Sequence, residues 1–149
     1  MPASYTALWY HLVFATKQRQ PLLTAAIRQR VHEYMAGIVE LQGGTPRAIG
    51  GIEDHVHLLL SVRQDQTIAD IARLIKANSS KWVNQQWPKL AFSWQTGYSA
   101  FTVSVSQKVR VQRYIENQQE HHRSQDYGEE LREMLRRHVV PFSEDHLIA

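Results

Sequence analysis

Hydrophobic and polar positions in the first part of the chain predict a strand followed by a helix. Residues 5–14 are rich in aromatic and β-branched side chains and contain no Gly or Pro, which is typical of a strand. Between residues 27 and 41 the apolar side chains recur at steps of three and four, which indicates one face of a helix. Thr24 is placed to cap this helix, and Gly43 and Gly44 are placed to end it.

The pattern continues with a hairpin, a second helix and a fourth strand. Residues 47–49 and 55–62 predict two short strands that flank a turn containing glycine. A helix capped by Thr67 follows and is predicted to end before Pro88. The alternating segment 98–105 then predicts the fourth strand.

Two further helices are predicted near the C-terminus, one capped by Ser106 and running to about His122, and a short one over residues 127–138. The element order is the split βαβ order of ferredoxin-like domains, which RNA-recognition domains share. We therefore expect an α+β fold with one antiparallel sheet, helices on one of its faces and additional C-terminal helices. The length of 149 residues predicts a single domain over residues 1–149.

The composition limits the classes of chemistry. Hydrophobic residues make up 43% and charged residues 21%, as in an ordinary globular protein. The chain has no cysteine, which excludes disulfides, thiolate nucleophiles and sulfur-ligated zinc, so any metal must bind nitrogen and oxygen. Residues 1–5 show no secretory signal, and no apolar run is long enough to span a bilayer. We expect a cytoplasmic protein without a membrane segment.

The charge permits a polyanionic partner without requiring one. The formal net charge is +3 and the isoelectric point is near 9.3. Candidate contacts to DNA phosphates are Lys76 and Lys81 on the second predicted helix and Arg110 and Arg113 on the third. For both pairs the alternative interpretation is an ordinary solvated helix face.

The segment from Asp54 to Leu60 carries the first candidate site. Side chains at alternate positions of a strand project from the same face, so His55 and His57 stand side by side while Val56 faces the core. Two imidazoles on a rigid strand suit a divalent metal, although a structural or surface role is an equal alternative. Asp54 is a further candidate, either for the metal or for orienting one of its ligands.

The third predicted helix carries the second candidate site. Residues four and seven apart share a helical face, so Tyr114, Gln118 and His121 point the same way, with His122 beside them. This places a phenol next to groups that bind metals. Taken alone, the segment is better explained by a polar helix whose tyrosine ring packs at the edge of the core.

The two segments together indicate one mechanism. A metal held by His55, His57 and an amide or imidazole of the helix would polarise a scissile phosphate for attack by Tyr114. The resulting phosphotyrosine link conserves the energy of the phosphodiester, so DNA could be rejoined without ATP. The absence of a GxxxxGK[ST] loop agrees with this.

Several motifs in the same order resemble a known family. They are Trp9 to Lys17, Gly50 to Asp54, His55-Val56-His57, Lys76 to Ser80, Trp94 to Tyr98, and Tyr114 to Gln118. Over nearly the whole chain, the sequence is similar to the single-tyrosine HUH transposases of small bacterial insertion sequences and to the related REP-associated tyrosine transposases.

The resemblance implies a ferredoxin-like fold and a complete set of site residues. It implies that His55 and His57 bind Mg²⁺ or Mn²⁺, that Tyr114 is the nucleophile and that Gln118 completes the metal site. His121 is an alternative third ligand, because an imidazole is a stronger donor than an amide. The implied substrate is single-stranded DNA with hairpin ends. The implied assembly is a homodimer whose active sites commonly combine histidines of one subunit with the tyrosine helix of the other.

Other functions are compatible with parts of the pattern. A domesticated REP-associated enzyme acting on chromosomal repeats would have the same active site. A non-catalytic nucleic-acid-binding module would stack bases on aromatics such as Trp94 and Tyr98, although these are more often core or dimer contacts. A metal-dependent hydrolase would transfer phosphate to water and need no tyrosine. His11 is expected to be structural.

Overall fold

A four-stranded antiparallel sheet lies at the centre of the computed structural model, which describes residues 3–147. The strand order β2-β3-β1-β4 is that of a ferredoxin-like sheet, so the predicted fold class is confirmed. The strands are β1 Trp9–Ala15, β2 Thr45–Gly51, β3 His55–Ser61 and β4 Ser99–Thr102. That residues 1–149 form a single domain stays a prediction, and residues 1–2 and 148–149 lie outside the described part.

Helices flank both faces of this sheet. They are α1 Ala25–Leu41, α2 Ile68–Gln86, α3 Lys108–Glu116, α4 Gln118–His121 and α5 Tyr127–Arg137. Helices α1 and α2 pack on one face, as expected for this fold, and the additional C-terminal helices cover the opposite face. Within residues 3–147, none of the helices is both long enough and apolar enough to cross a membrane.

The main core forms between the sheet and the pair α1 and α2. Val56, Leu58 and Leu60 of β3 are fully buried in it, as the strand pattern predicts. Trp94 also belongs to this core, where its Nε1 donates to Ser79 Oγ at 2.9 Å. The opposite face of β3 carries two histidines, one leucine and the terminal Ser61, and the C-terminal helices cover the part formed by the histidines and the leucine.

The ends of two strands differ from the predictions, because the strand-like pattern of side chains extends beyond the residues that are paired in the sheet. Strand β1 begins at Trp9, and Tyr5, predicted to lie in it, is 93% exposed. Strand β4 ends at Thr102, the last residue paired with β1, and Val105–Gln107 forms a turn of 3-10 helix. Residue Ser106 lies inside that turn, so the prediction that it caps α3 is wrong.

Side-chain caps are found at the starts of α2 and α5. Thr67 accepts a hydrogen bond from Asp70 N at 3.1 Å, as predicted for α2, whereas the Thr24 side chain accepts none at the start of α1. Helix α5 begins at a residue that the sequence did not single out: Asp126 accepts from Glu129 N at 2.8 Å.

The prediction of one continuous helix from residue 106 to about His122 is wrong. Asn117 interrupts it with φ −102° and ψ 25°, which ends α3 and begins the short α4. Asparagine suits such a position because its short polar side chain tolerates non-helical backbone geometry at helix ends.

Helix α3 approaches strand β2 at Gly50 without any intervening side chain. A Cβ atom on Gly50 would lie 2.1 Å from the Ile115 carbonyl oxygen, a separation that cannot exist. Gly50 is also paired with His57 of β3. The missing side chain at Gly50 therefore sets how closely α3 lies against the histidine strand.

We predict that Gly50→Ala destabilises the protein by about 1–3 kcal/mol, because the added methyl group forces α3 away from the sheet. The matched control is Gly37→Ala in α1, where nothing lies within 4 Å of the added carbon. Because alanine favours helix, this control is expected to leave stability unchanged or to raise it by up to about 1 kcal/mol. Urea unfolding of both variants measures the difference, and equal stabilities would contradict the close-approach argument.

Candidate metal and nucleophile site

Two imidazoles project from β3 toward the C-terminal helices. His55 and His57 are both fully buried, and their ring centroids are 5.1 Å apart. They stand side by side because positions two apart on a strand share a face. The structure therefore brings together the pair that the sequence singled out.

A carboxylate from α5 meets these imidazoles. Glu130 is 2% exposed, and its Oε1 lies 2.9 Å from His57 Nε2 and 3.2 Å from His55 Nε2. The same oxygen lies 3.1 Å from His122 Nε2. Glu130 was not among the predicted site residues, although it lies at the centre of the cluster.

The sequence does carry a signal for Glu130. Tyr127, Leu131 and Met134 form the buried stripe of α5, and Glu130 occupies a position of that stripe, three residues after Tyr127 and four before Met134. A charged residue on the apolar face of a helix is unusual, since buried carboxylates require partners. This pattern could have identified Glu130, but it could not have identified its partners.

Helices α3 and α4 bring the phenol and the amide to the same carboxylate. Tyr114 donates a hydrogen bond from its hydroxyl to Glu130 Oε2. Gln118 Nε2 also donates to Oε2, at 3.0 Å, and Gln118 Oε1 lies 3.1 Å from His55 Nε2. Tyr114 and Gln118 remain aligned across the break at Asn117.

Each histidine of β3 is also held at its other ring nitrogen. Asp54 Oδ1 lies 2.7 Å from His55 Nδ1, which is the nitrogen that faces away from Glu130. His11 Nε2 lies 2.8 Å from His57 Nδ1. Such contacts fix ring orientation and tautomer, as they do behind the ligands of metal sites. Asp54 therefore lies behind His55, and the buried His11 lies behind His57.

The protonation states follow from burial and from Glu130. Burial alone would lower the pKa of His55, but hydrogen bonds to Asp54 and Glu130 outweigh it and raise that pKa to about 9. Burial lowers the pKa of His57 to about 4, against the attraction of Glu130. Burial and the neighbouring carboxylate raise the pKa of Tyr114 well above its ordinary value.

Glu130 itself stays ionised. Burial would raise its pKa, but the attraction of His57 and the hydrogen bonds from His122 and His55 hold that pKa well below its ordinary value. The centre therefore combines an anionic Glu130 with a protonated His55, a neutral His57 and a protonated phenol.

The two adjacent histidines after α3 differ in position. His122 Nε2 contacts Glu130 Oε1, whereas His121 Nε2 is 3.6 Å from Oε2 and has no hydrogen-bond partner. His122 therefore lies in one cluster with His55, His57 and Glu130, and a role of His121 at the metal stays a prediction. One donor atom from each of the four clustered residues lies within 4.8 Å of the others, a spacing that fits a metal ion.

The predicted DNA-contacting residues lie on both faces of the sheet. Arg110 lines the cavity beside Tyr114, and Arg113 is exposed on the same helix. Lys76 and Lys81 are on α2, across the sheet from Tyr114, and Lys76 donates to a backbone carbonyl at 2.6 Å. DNA contact by these four residues stays a prediction.

A cavity of about 380 Å³ opens beside the phenol. Its lining is His11, Arg110, Val111, Tyr114, His121, Glu130, Glu133, Met134, Arg137 and His138. It gives access to Tyr114 and Glu130, whereas His55 and His57 are fully buried. A larger cavity of about 560 Å³ borders Gln118 but neither Tyr114 nor Glu130, so we regard the smaller one as the approach to the phenol.

Comparison with known proteins identifies similar sequences. Residues 4–118 match the family model described as "Transposase IS200 like". The ISDra2 transposase TnpA of Deinococcus radiodurans is 29% identical over 117 residues, which cover 74% of this chain and 84% of that protein. The transposase for insertion sequence element IS200 of Salmonella typhimurium is 27% identical over 117 residues, covering 74% and 76%.

Solved structures are similar as well. The crystal structure of a Deinococcus radiodurans protein assigned as a transposase superposes with a TM-score of 0.65 and 28% identity, covering 79% of this chain and 96% of that one. A REP-associated tyrosine transposase bound to a REP hairpin superposes with a TM-score of 0.54 and 15% identity, covering 76% and 70%. The second match supports the fold alone.

We predict that the metal-free protein loses stability as the pH rises from 6.5 to 9. The pKa of His55 is about 9 in the folded protein against an ordinary 6.5, so its contribution is complete below pH 6.5 and is lost by pH 9. Asp54→Asn removes the charge that accepts the His55 hydrogen bond, so the loss over this range becomes smaller. Urea unfolding in the presence of a chelator measures the free energy of unfolding of both proteins across this pH range. A free energy of unfolding that is constant or rises from pH 6.5 to 9 in wild type contradicts the raised pKa of His55.

Proposed function

The chain belongs to the IS200-like transposase family, and we propose that it cuts and rejoins single-stranded DNA through a covalent phosphotyrosine intermediate on Tyr114. The observation that carries the proposal is the meeting of this phenol with the buried His55 and His57 around one carboxylate. A phenol aimed at a cluster of metal-binding groups is the arrangement that such chemistry requires.

We infer that His55, His57 and Gln118 hold a divalent ion, Mg²⁺ or Mn²⁺. Support comes from the spacing of their donor atoms and from Asp54 and His11, which orient the two rings from behind. When bound there, the ion withdraws charge from the scissile phosphate and stabilises the charge that develops in the transfer.

The protein side chains perform the covalent step. The Oη atom of Tyr114 forms a bond to phosphorus, and the bond from phosphorus to one deoxyribose oxygen breaks. The phenol gives up its proton, and the departing oxygen gains one and becomes a free hydroxyl. Rejoining is the reverse reaction with a hydroxyl of another strand, so no ATP is consumed.

The proposed substrate is single-stranded DNA with a hairpin near each transposon end. The cavity beside Tyr114 carries Arg110 and Arg137, whose guanidinium groups suit a phosphate backbone. Lys76, Lys81 and Arg113 are proposed to contact DNA outside this cavity. The curated relatives are insertion-sequence transposases, which favours a mobile element over a domesticated enzyme. The cytoplasm stays the expected compartment.

We propose that each active site is complete within one chain. The resemblance to the family implies a homodimer with shared sites, but here Tyr114 donates to Glu130 of its own chain, which also contacts His57 of that chain. A homodimer remains the expected assembly, with its two sites each formed in cis.

We predict that Tyr114→Phe abolishes a covalent adduct between the protein and labelled single-stranded DNA in the presence of Mn²⁺. Loss of the nucleophile lowers the rate by at least about 10³-fold. The readout is a labelled band that survives denaturing electrophoresis. The matched control is Tyr34→Phe on α1, which stacks on Trp82 on the other face of the sheet and is expected to keep the adduct.

Two other results distinguish the alternatives. DNA cleavage that persists in Tyr114→Phe, without adduct, indicates a hydrolase that transfers phosphate to water. Binding of DNA by the wild-type chain without cleavage or adduct indicates a non-catalytic binding module. Either result overturns the proposed function.

We predict that a mixture of His57→Ala and Tyr114→Phe proteins forms no adduct. In cis, every active site in the mixture lacks either a histidine or the tyrosine. Sites shared between subunits would combine the intact His57 of one variant with the intact Tyr114 of the other and restore the adduct. The mixture is unfolded and refolded together before the assay, so that subunits exchange, and restored adduct contradicts the cis assignment.

A further inference from the structure

We propose that Glu130 of α5 is an additional ligand of the divalent ion, a carboxylate that joins His55, His57 and Gln118 within the same chain. This inference rests on the metal site proposed above and extends it. The matched family region ends at residue 118, so Glu130 comes from a helix beyond that region.

The spacing of the donor atoms supports this assignment. Octahedral ligands at 2.0–2.1 Å from Mg²⁺ lie about 3 Å from their neighbours. Glu130 Oε1 is 2.9 Å from His57 Nε2 and 3.2 Å from His55 Nε2. Gln118 Oε1 is 3.1 Å from His55 Nε2. These contacts have the lengths expected between adjacent ligands of one ion.

The chemistry of the donor set supports it as well. Two imidazoles and one amide are neutral donors, whereas Mg²⁺ and Mn²⁺ prefer oxygen and favour carboxylates. Glu130 supplies an anionic oxygen, and it is the carboxylate of the buried cluster. Asp54 contacts the far nitrogen of His55, so it does not supply this oxygen.

The second oxygen of Glu130 links the metal site to the nucleophile. Oε1 faces the imidazoles, while Oε2 accepts hydrogen bonds from Tyr114 and Gln118. A single carboxylate therefore contacts the proposed ion on one side and positions the phenol on the other. This arrangement also requires that the ion and Tyr114 be in the same chain.

If Glu130 is not a ligand, the expected change in metal affinity has the opposite sign. If Glu130 only occupied the space of the ion and had to withdraw before it bound, neutralising the side chain would strengthen metal binding. If Glu130 is a ligand, neutralising it weakens binding. The sign of the change in Mn²⁺ affinity distinguishes the two roles without any assay of activity.

The experiment measures Mn²⁺ binding to the metal-free full chain by calorimetry and by electron paramagnetic resonance of the unbound ion. We expect Glu130→Gln to raise the Kd by about tenfold or more. The matched control, Glu129→Gln, makes the same change at the exposed neighbouring position of α5 and leaves the Kd unchanged. Glu130→Asp keeps the carboxylate on a shorter side chain and is expected to retain part of the affinity lost in Glu130→Gln.

Each outcome decides between the proposals. If wild type binds Mn²⁺ and His57→Ala does not, the metal site itself is supported, and a Kd in Glu130→Gln equal to or lower than that of wild type overturns the role of Glu130 alone. If wild type binds no Mn²⁺, both proposals are overturned. Should Glu130→Gln fail to fold, Glu130→Asp decides: a Kd no higher than that of wild type overturns the assignment, and a raised Kd supports it.

Discussion

The burial of the Glu130 carboxylate constrains how the C-terminal helices dock on the sheet. An ionised carboxylate away from water requires charged or hydrogen-bonding partners at both oxygens. The histidine face of β3 supplies the partners of Oε1, and α3 with α4 supplies those of Oε2. The apolar stripe of α5 packs on the sheet in the same position in which this carboxylate reaches both sets. The position of α5 therefore satisfies polar contacts together with apolar ones.

The two faces of the sheet have different tasks. Leu58 and its neighbours on one face pack into the core with α1 and α2, which makes β3 a rigid support. On the other face the same strand presents imidazoles, and Gly50 lets α3 approach the sheet closely. Because side chains of β3 alternate between the two faces, the core residues and the candidate metal-binding residues lie on opposite sides of one strand. The positions of the candidate donors follow from backbone geometry, which is less mobile than a loop.

Local patterns predicted the fold and part of the site. The strand and helix order, the orientation of His55 and His57, and the alignment of Tyr114 with Gln118 all follow from periods of two and of about 3.6 residues. The exact element ends were missed, because hydrogen bonding to neighbouring strands, which no local pattern reports, decides where β1 begins and where β4 ends. Helical spacing alone aligned His121 with Tyr114, whereas beyond the break at Asn117 it is His122 that contacts Glu130 Oε1.

The contacts of Glu130 show why the rest of the site could not be predicted from the sequence. Its place on the buried stripe of α5 is visible in the sequence, but its partners lie on β3, α3 and α4, and only the docked structure brings them together. The same docking explains the state of the nucleophile. Burial and the negative charge of Glu130 both raise the pKa of Tyr114, so the phenol stays protonated and a weak nucleophile while that charge is balanced only by imidazoles. A divalent ion bound beside Oε1 would offset the negative charge of Glu130, which is one of the causes that raise the pKa of Tyr114. Glu130 therefore lies between the phenol and the imidazoles of the proposed metal site, in contact with both.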